Sequence, residues 1–182
     1  MNTHSKSCLH GDYPAMLEIT GHDRPGSLYY QKAGNKKYLD SLTMNVEGGL
    51  SIHLCSTNVD YVFTLSNRVF KSCGDLAVSG GTLALAAGAT WLNGTNFTAK
   101  GEGVLRFAEV GQVNPDFAAV HFEDSGKIYI PEGVTLSFAE GDIGGNPITN
   151  GKYTGSEGAL KDRIIGGGTL RIGKRGMLLM VQ

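Results

Sequence analysis

The chain has 182 residues and a formal net charge of −1, with a pI near 6.5, and its length suits one domain with a sizeable buried core. So balanced a charge leaves no electrostatic footprint for nucleic acid or an anionic membrane surface. With 27 Gly, about twice the usual share, and only five Pro, the composition excludes collagen and a disordered tract and fits a β protein with many tight turns.

The polar opening MNTHSKSCLHGDYP lacks the apolar run of a signal peptide. No stretch reaches the roughly 18 apolar residues of a membrane span. Residues 1–12 read as a frayed lead-in. Two origins fit: a cytosolic protein, or a segment of a longer exported one. Next comes YYQKAGNKKY, which sets Tyr29, Tyr30 and Tyr38 among Lys32, Lys36 and Lys37 and reads as a surface loop. Exposed aromatic rings stack on sugar faces and anchor protein interfaces, so Tyr29 and Tyr30 are candidate binding residues, as is Trp91 beside NGTN. The three cysteines, Cys8, Cys55 and Cys73, make no disulfide framework and show no CxxC spacing. Cys55 and Cys73 either bridge or pack as small apolar side chains on neighbouring strands.

From Gly26 onward one phrase recurs: Gly, any residue, apolar, any residue, apolar. It appears as GSLYY, GGLSI, GDLAV, GTLAL, GVLRF, GKIYI, GTLRI and GMLLM. That is eight occurrences, where chance predicts roughly two or three. Gly26 and Gly48, Gly81 and Gly103, and Gly103 and Gly126 are each separated by one period of roughly 22 residues, and Gly126 to Gly168 spans close to two such periods. Alternation places every second side chain on one face, and a glycine then turns the chain. Short strands repeating at about 22 residues stack as coils of a β-solenoid, each pairing in parallel with the last around a narrow core. In GGTLALAAGATW this puts Leu83 and Leu85 inward and Gly88 at a corner. The alternative is an antiparallel sandwich or jelly roll, for which only two Asn-Gly hairpin signals speak.

The repeat is interrupted at residues 111–126 and 141–165, and solenoid insertions often cluster on the binding face. SEGALKDRII, Ser156 to Ile165, is the best short helix candidate, with Ser156 as its cap. The first interruption carries Asp116, His121, Glu123 and Asp124, a candidate site for a sugar or a calcium ion against the plainer reading of solvated loop acids. The histidines share no metal-ligand spacing, no G-x-S-x-G nucleophile phrase occurs, and no cofactor or metal is expected. The basic residues Lys161, Arg163, Arg171, Lys174 and Arg175 read as solvated turns.

The phrases GGTLALAAGATW, GEGVLRF and GGGTLRIGKRG, within Val69 to Val181, resemble the autotransporter-associated β-strand repeat. That resemblance implies a right-handed parallel β-helix of the pectin-lyase-like type and a secreted or cell-surface bacterial protein. It brings no catalytic residue. The expectation is therefore one solenoid domain of seven or eight coils. Its expected role is a rigid, non-catalytic stalk or adhesive scaffold meeting a glycan or protein. The alternatives are a polysaccharide lyase or hydrolase, or a carbohydrate-binding module.

Overall fold

A computed structural model describes the backbone at residues 15–21, 26–27, 29–32, 35–38, 41–42, 50–56, 59–65, 69–70, 73–91, 94 and 96–173, and side chains at 51–56, 59–65, 74–91, 94 and 96–173. The lead-in 1–12, Cys8, Lys174 and Arg175 lie outside these residues. The fold is all-β, and no helix occurs among the described residues. It is a parallel β-solenoid, not a sandwich.

The first sheet stacks Ala15–Gly21, Leu50–Ser56, Cys73–Ser79, Asn96–Lys100, Ala119–Phe122 and Glu140–Ile143, every neighbouring pair parallel. The second stacks Gly26–Ser27, Val62–Leu65, Thr82–Leu85, Val104–Arg106, Lys127–Tyr129 and Ile164–Ile165, also in parallel. Each sheet thus has six successive rungs among the described residues, fewer than the seven or eight coils expected. The third side is shorter. There Trp91 bridges Val113, and Thr135–Phe138 pairs in parallel with Thr169–Ile172.

Register explains the period. Ile52, Leu76, Phe97, Val120 and Gly141 lie opposite one another on consecutive rungs, each roughly 22 residues after the last. Leu54, Val78, Ala99, Phe122 and Ile143 form a second inward row on the same strands. The second sheet contributes Phe63, Leu83, Leu105, Ile128 and Ile164. These rows face each other and merge into one apolar core, in which Phe97, Phe107 and Phe138 meet at centroid distances of 5.4 to 6.2 Å in tilted or edge-on geometry. Leu83 and Leu85 are buried as the alternation predicts, and Gly88 turns the chain at φ +79°.

Two organisational expectations change. Gly126 and Gly168 do not open equivalent strands: GKIYI belongs to the second sheet and GTLRI to the third. The stretch between them is one coil lengthened by an insertion, not two coils. The interruptions are also shorter than read from sequence, because Ala119–Phe122 and Glu140–Ile143 are regular rungs of the first sheet. Residues 144–163 are the true insertion. The helix expected at Ser156 to Ile165 is not formed: Ser156 to Arg163 is a run of turns and bends, and Ile164–Ile165 is a strand. Gly158 sits at φ +76° and Asp162 at φ +68°, values that no right-handed helix contains.

Candidate functional site

Outward-facing positions of the first sheet form polar rows by the same register. His53, Ala77, Thr98, His121 and Asp142 lie opposite one another on consecutive rungs. Asp75 and Asn96 stand near the start of their strands, beside this row. The groups join across coils. Asn96 donates its backbone N–H to Asp75 Oδ1 at 3.1 Å and its side-chain NH2 to the same oxygen at 3.0 Å. Asn96 Oδ1 lies 3.1 Å from His121 Nε2, and His121 Nδ1 lies 2.5 Å from Asp142 Oδ2. Asp142 Oδ1 in turn accepts the N–H of Gly145.

Donor and acceptor roles follow from the two carboxylates at the ends, which only accept when ionised. Asn96 must therefore turn its NH2 to Asp75 and its carbonyl to His121. Each ring nitrogen thus has one neighbour within hydrogen-bond distance, Asn96 Oδ1 at Nε2 and Asp142 Oδ2 at Nδ1. The result is a strut across four rungs, Asp75–Asn96–His121–Asp142, in which both ring nitrogens are committed. His121 and Asp142 are about three-quarters buried. Asp142→Asn is expected to cost about 1 kcal/mol in urea unfolding, below the usual range for a charge-assisted bond because solvent still screens it.

This strut floors an open groove of about 640 Å³, lined also by Thr98, Glu123, Asp124 and Gly144. Of the residues picked from sequence, His121, Glu123 and Asp124 come together here. Asp116 does not: it is exposed on the preceding loop, its N–H bonded to Asn114 Oδ1. Trp91 is a correction. It is fully buried in the core, with Nε1 donating to the Gly74 carbonyl at 2.8 Å, so its ring is not available to a sugar. Tyr29 and Tyr30 lie not in a loop but in a strand, Tyr29–Lys32, paired antiparallel with Asn35–Tyr38; their side chains are outside the described set. Sequence reading misses Asp75, Asn96 and Asp142. Their only signal is position, since each falls about one coil from its partner in the strut.

At the groove's edge Lys100 Nζ meets Glu123 Oε2 at 2.9 Å. The hydrogen bond to Glu123, then its charge, holds the Lys100 ammonium above its ordinary pKa of 10.5. A raised folded-state pKa favours the fold below 10.5 and loses that contribution at more alkaline pH. The small stability difference between wild type and Glu123→Gln is thus expected to hold through neutral pH and to fade past 10.5 in urea melts.

A second polar cluster lies on the earlier rungs. Ser79 Oγ is 3.2 Å from His53 Nε2 and 3.4 Å from Cys55 Sγ. Cys55 is a free thiol. Its register partner is Ser79, while Cys73 stands opposite Leu50, so the first alternative, a Cys55–Cys73 bridge, is not formed. Among the described residues no group of three or more His, Cys, Asp and Glu is placed to hold a metal ion, and no helix is long and apolar enough to cross a membrane. Comparison of the chain with protein-family models, with curated proteins and with solved structures finds no match in any of the three.

Proposed function

We propose that this chain is a non-catalytic, rigid segment of a secreted or cell-surface bacterial protein, a stalk or adhesive scaffold that works by extended shape. The observation that carries this reading is the commitment of His121. A general base needs a ring nitrogen with a lone pair facing its substrate, whereas both nitrogens here point along the sheet into neighbouring rungs. The polar groups of the outer face tie coils together, as the apolar rows do inside. Stacked at about 4.8 Å per rung, six rungs span roughly 24 Å. The resemblance of the Gly-Thr-Leu phrases to autotransporter-associated repeats supports the bacterial surface setting.

The test is a reducing-sugar assay of the purified chain on a panel of polysaccharides. No new reducing ends are expected. Turnover that disappears in Asp124→Asn would sink the scaffold reading and favour a polysaccharide-active enzyme.

The groove favours one second reading, a carbohydrate-binding surface without turnover. It clusters Asp75, Asn96, Thr98, Glu123 and Asp124 on a sheet face, the kind of donor and acceptor set that hydroxyl-rich sugars meet. On a glycan array, binding weakened at least tenfold by Glu123→Gln with Asp124→Asn, at unchanged melting temperature, would establish it. Tyr29→Ala and Tyr30→Ala in the same array ask whether the Tyr29–Lys32 strand contributes.

A further inference from the structure

A parallel solenoid has an unpaired strand edge at the end of each sheet, and such edges recruit further strands, including those of a second copy of the same chain. At the end formed by residues 140–173, a single insertion meets all three sheets. From the geometry we infer that residues 144–163 are a terminal cap that blocks edge-to-edge addition of a second copy of this chain. This inference stands whether or not the scaffold reading holds.

The first sheet ends its parallel run at Glu140–Ile143. The chain then reverses, and Asn146–Pro147 pairs antiparallel with Asp142 and Ile143. Ile148 N–H donates to the Gly141 carbonyl at 2.8 Å. This outermost strand has only two residues, both exposed, and one is proline, which has no N–H to offer a further strand. On the third side Gly151–Tyr153 pairs antiparallel with Thr169–Ile172 and occupies its outer edge. The middle residue of that strand is an exposed lysine, Lys152, a side chain that natural edges use against pairing. On the second sheet the outer strand is Ile164–Ile165. There the insertion presses Gly155 so close that a Cβ would stand 2.0 Å from the Ile164 carbonyl oxygen. Only glycine fits at that approach.

The same segment plugs the core. Leu160 and Ile148 are buried, and Tyr153 packs against the apolar cluster. Its return is pinned to the preceding coil by Arg163, which donates to the carbonyls of Gly126 and Asp124 at 3.1 and 2.5 Å. Three different devices on three different edges, all within one insertion, are what a stop to stacking requires. A loop built only to bind a ligand needs none of them.

The experiment restores pairing capacity without removing the plug: Pro147→Val combined with Lys152→Val in the full chain. Sedimentation velocity over a hundredfold concentration range is expected to show dimers and larger species growing with concentration in the variant. The wild type should hold its distribution, with the same circular dichroism in both. A folded variant that sediments like wild type overturns the inference. Should the variant not fold, hydrogen exchange of the wild type decides. Amides of 140–143 and 169–172 are expected to be protected like those of 119–122. Exchange at the rate of a free edge would show that no cap covers them.

Discussion

Gln112→Leu is expected to lower the unfolding free energy by about 4 kcal/mol, although leucine fills nearly the same volume. Gln112 is fully buried, and its amide is used completely. Oε1 accepts the N–H groups of Ala108 and Glu109 at 2.6 and 3.1 Å, and Nε2 donates to the carbonyls of Ala86 and Ala89 at 2.8 Å each. It thereby satisfies the corner of one coil and the corner of the coil before it. Leucine would strand four backbone groups, at roughly 1–3 kcal/mol for each that water does not reach. Ala86, Ala108 and Glu109 are only half-buried, which holds the expected loss near the lower end of that sum. Equilibrium urea unfolding measures it. A loss below about 1 kcal/mol would mean that water replaces the amide without cost.

Gly126→Ala is expected to be at least as severe, by a different route. A Cβ there would stand 2.0 Å from the Ala99 carbonyl oxygen and 2.3 Å from its carbon, inside any contact that atoms tolerate. The obstacle is backbone, so no rotamer change relieves it. The coil must move away from the one beneath, opening the bonds Glu123 N–H to Ala99 and Lys127 N–H to Gly103. Gly103 faces the same constraint one coil earlier, 2.5 Å from the Val78 carbonyl oxygen. Gly133 supplies the control. It has φ +77° but nothing within 4 Å of its Cβ position, so Gly133→Ala carries only the left-handed backbone penalty of about 1–2 kcal/mol. Thermal melts should therefore separate the two: a fall of roughly 10 °C or failure to accumulate as folded protein for Gly126→Ala, and a few degrees for Gly133→Ala. Equal shifts would show that conformation, not close approach, selects glycine at residue 126.

The same contrast marks what a sequence can reveal. The alternation in LALAA and the spacing of Gly81, Gly103 and Gly126 identify stacked coils, because both patterns arise from contacts that every coil repeats. They do not say which glycines are crowded. Gly103 and Gly126 keep their period because a neighbouring carbonyl sits against them, and Gly88 merely turns a corner. Gln112 is invisible, since a glutamine after Gly111 looks like any surface loop residue until two corners close around it. Trp91 misleads for the opposite reason. Its neighbours Asn93, Gly94 and Asn96 suggest a loop, but Trp91 itself points into the core. His121, Glu123 and Asp124 are legible because they are close in sequence. Asp75, Asn96 and Asp142 are not, because the register that assembles them is long-range. The insertion at 144–163 can be located but not understood: antiparallel pairing with 140–143 and 169–172 leaves no local signature in so short a segment.

The near-constant register bears on how the chain assembles. From Leu50–Ser56 onward, partners on successive rungs of the first sheet are almost evenly spaced along the chain, so each of these rungs closes a loop of almost the same length, whereas the interval before them, Leu17 to Ile52, is longer. Once two rungs have nucleated, every later one elongates an existing template at a nearly equal entropic cost. In the second sheet the intervals at both ends are longer: Gly26 lies opposite Phe63, and the insertion lengthens the interval between the partners Ile128 and Ile164. Loop entropy grows only with the logarithm of length, so the insertion adds about 0.4 kcal/mol to that closure. Folding should then propagate like a zipper, at a speed set by its first two rungs and hardly slowed by the detour before its last.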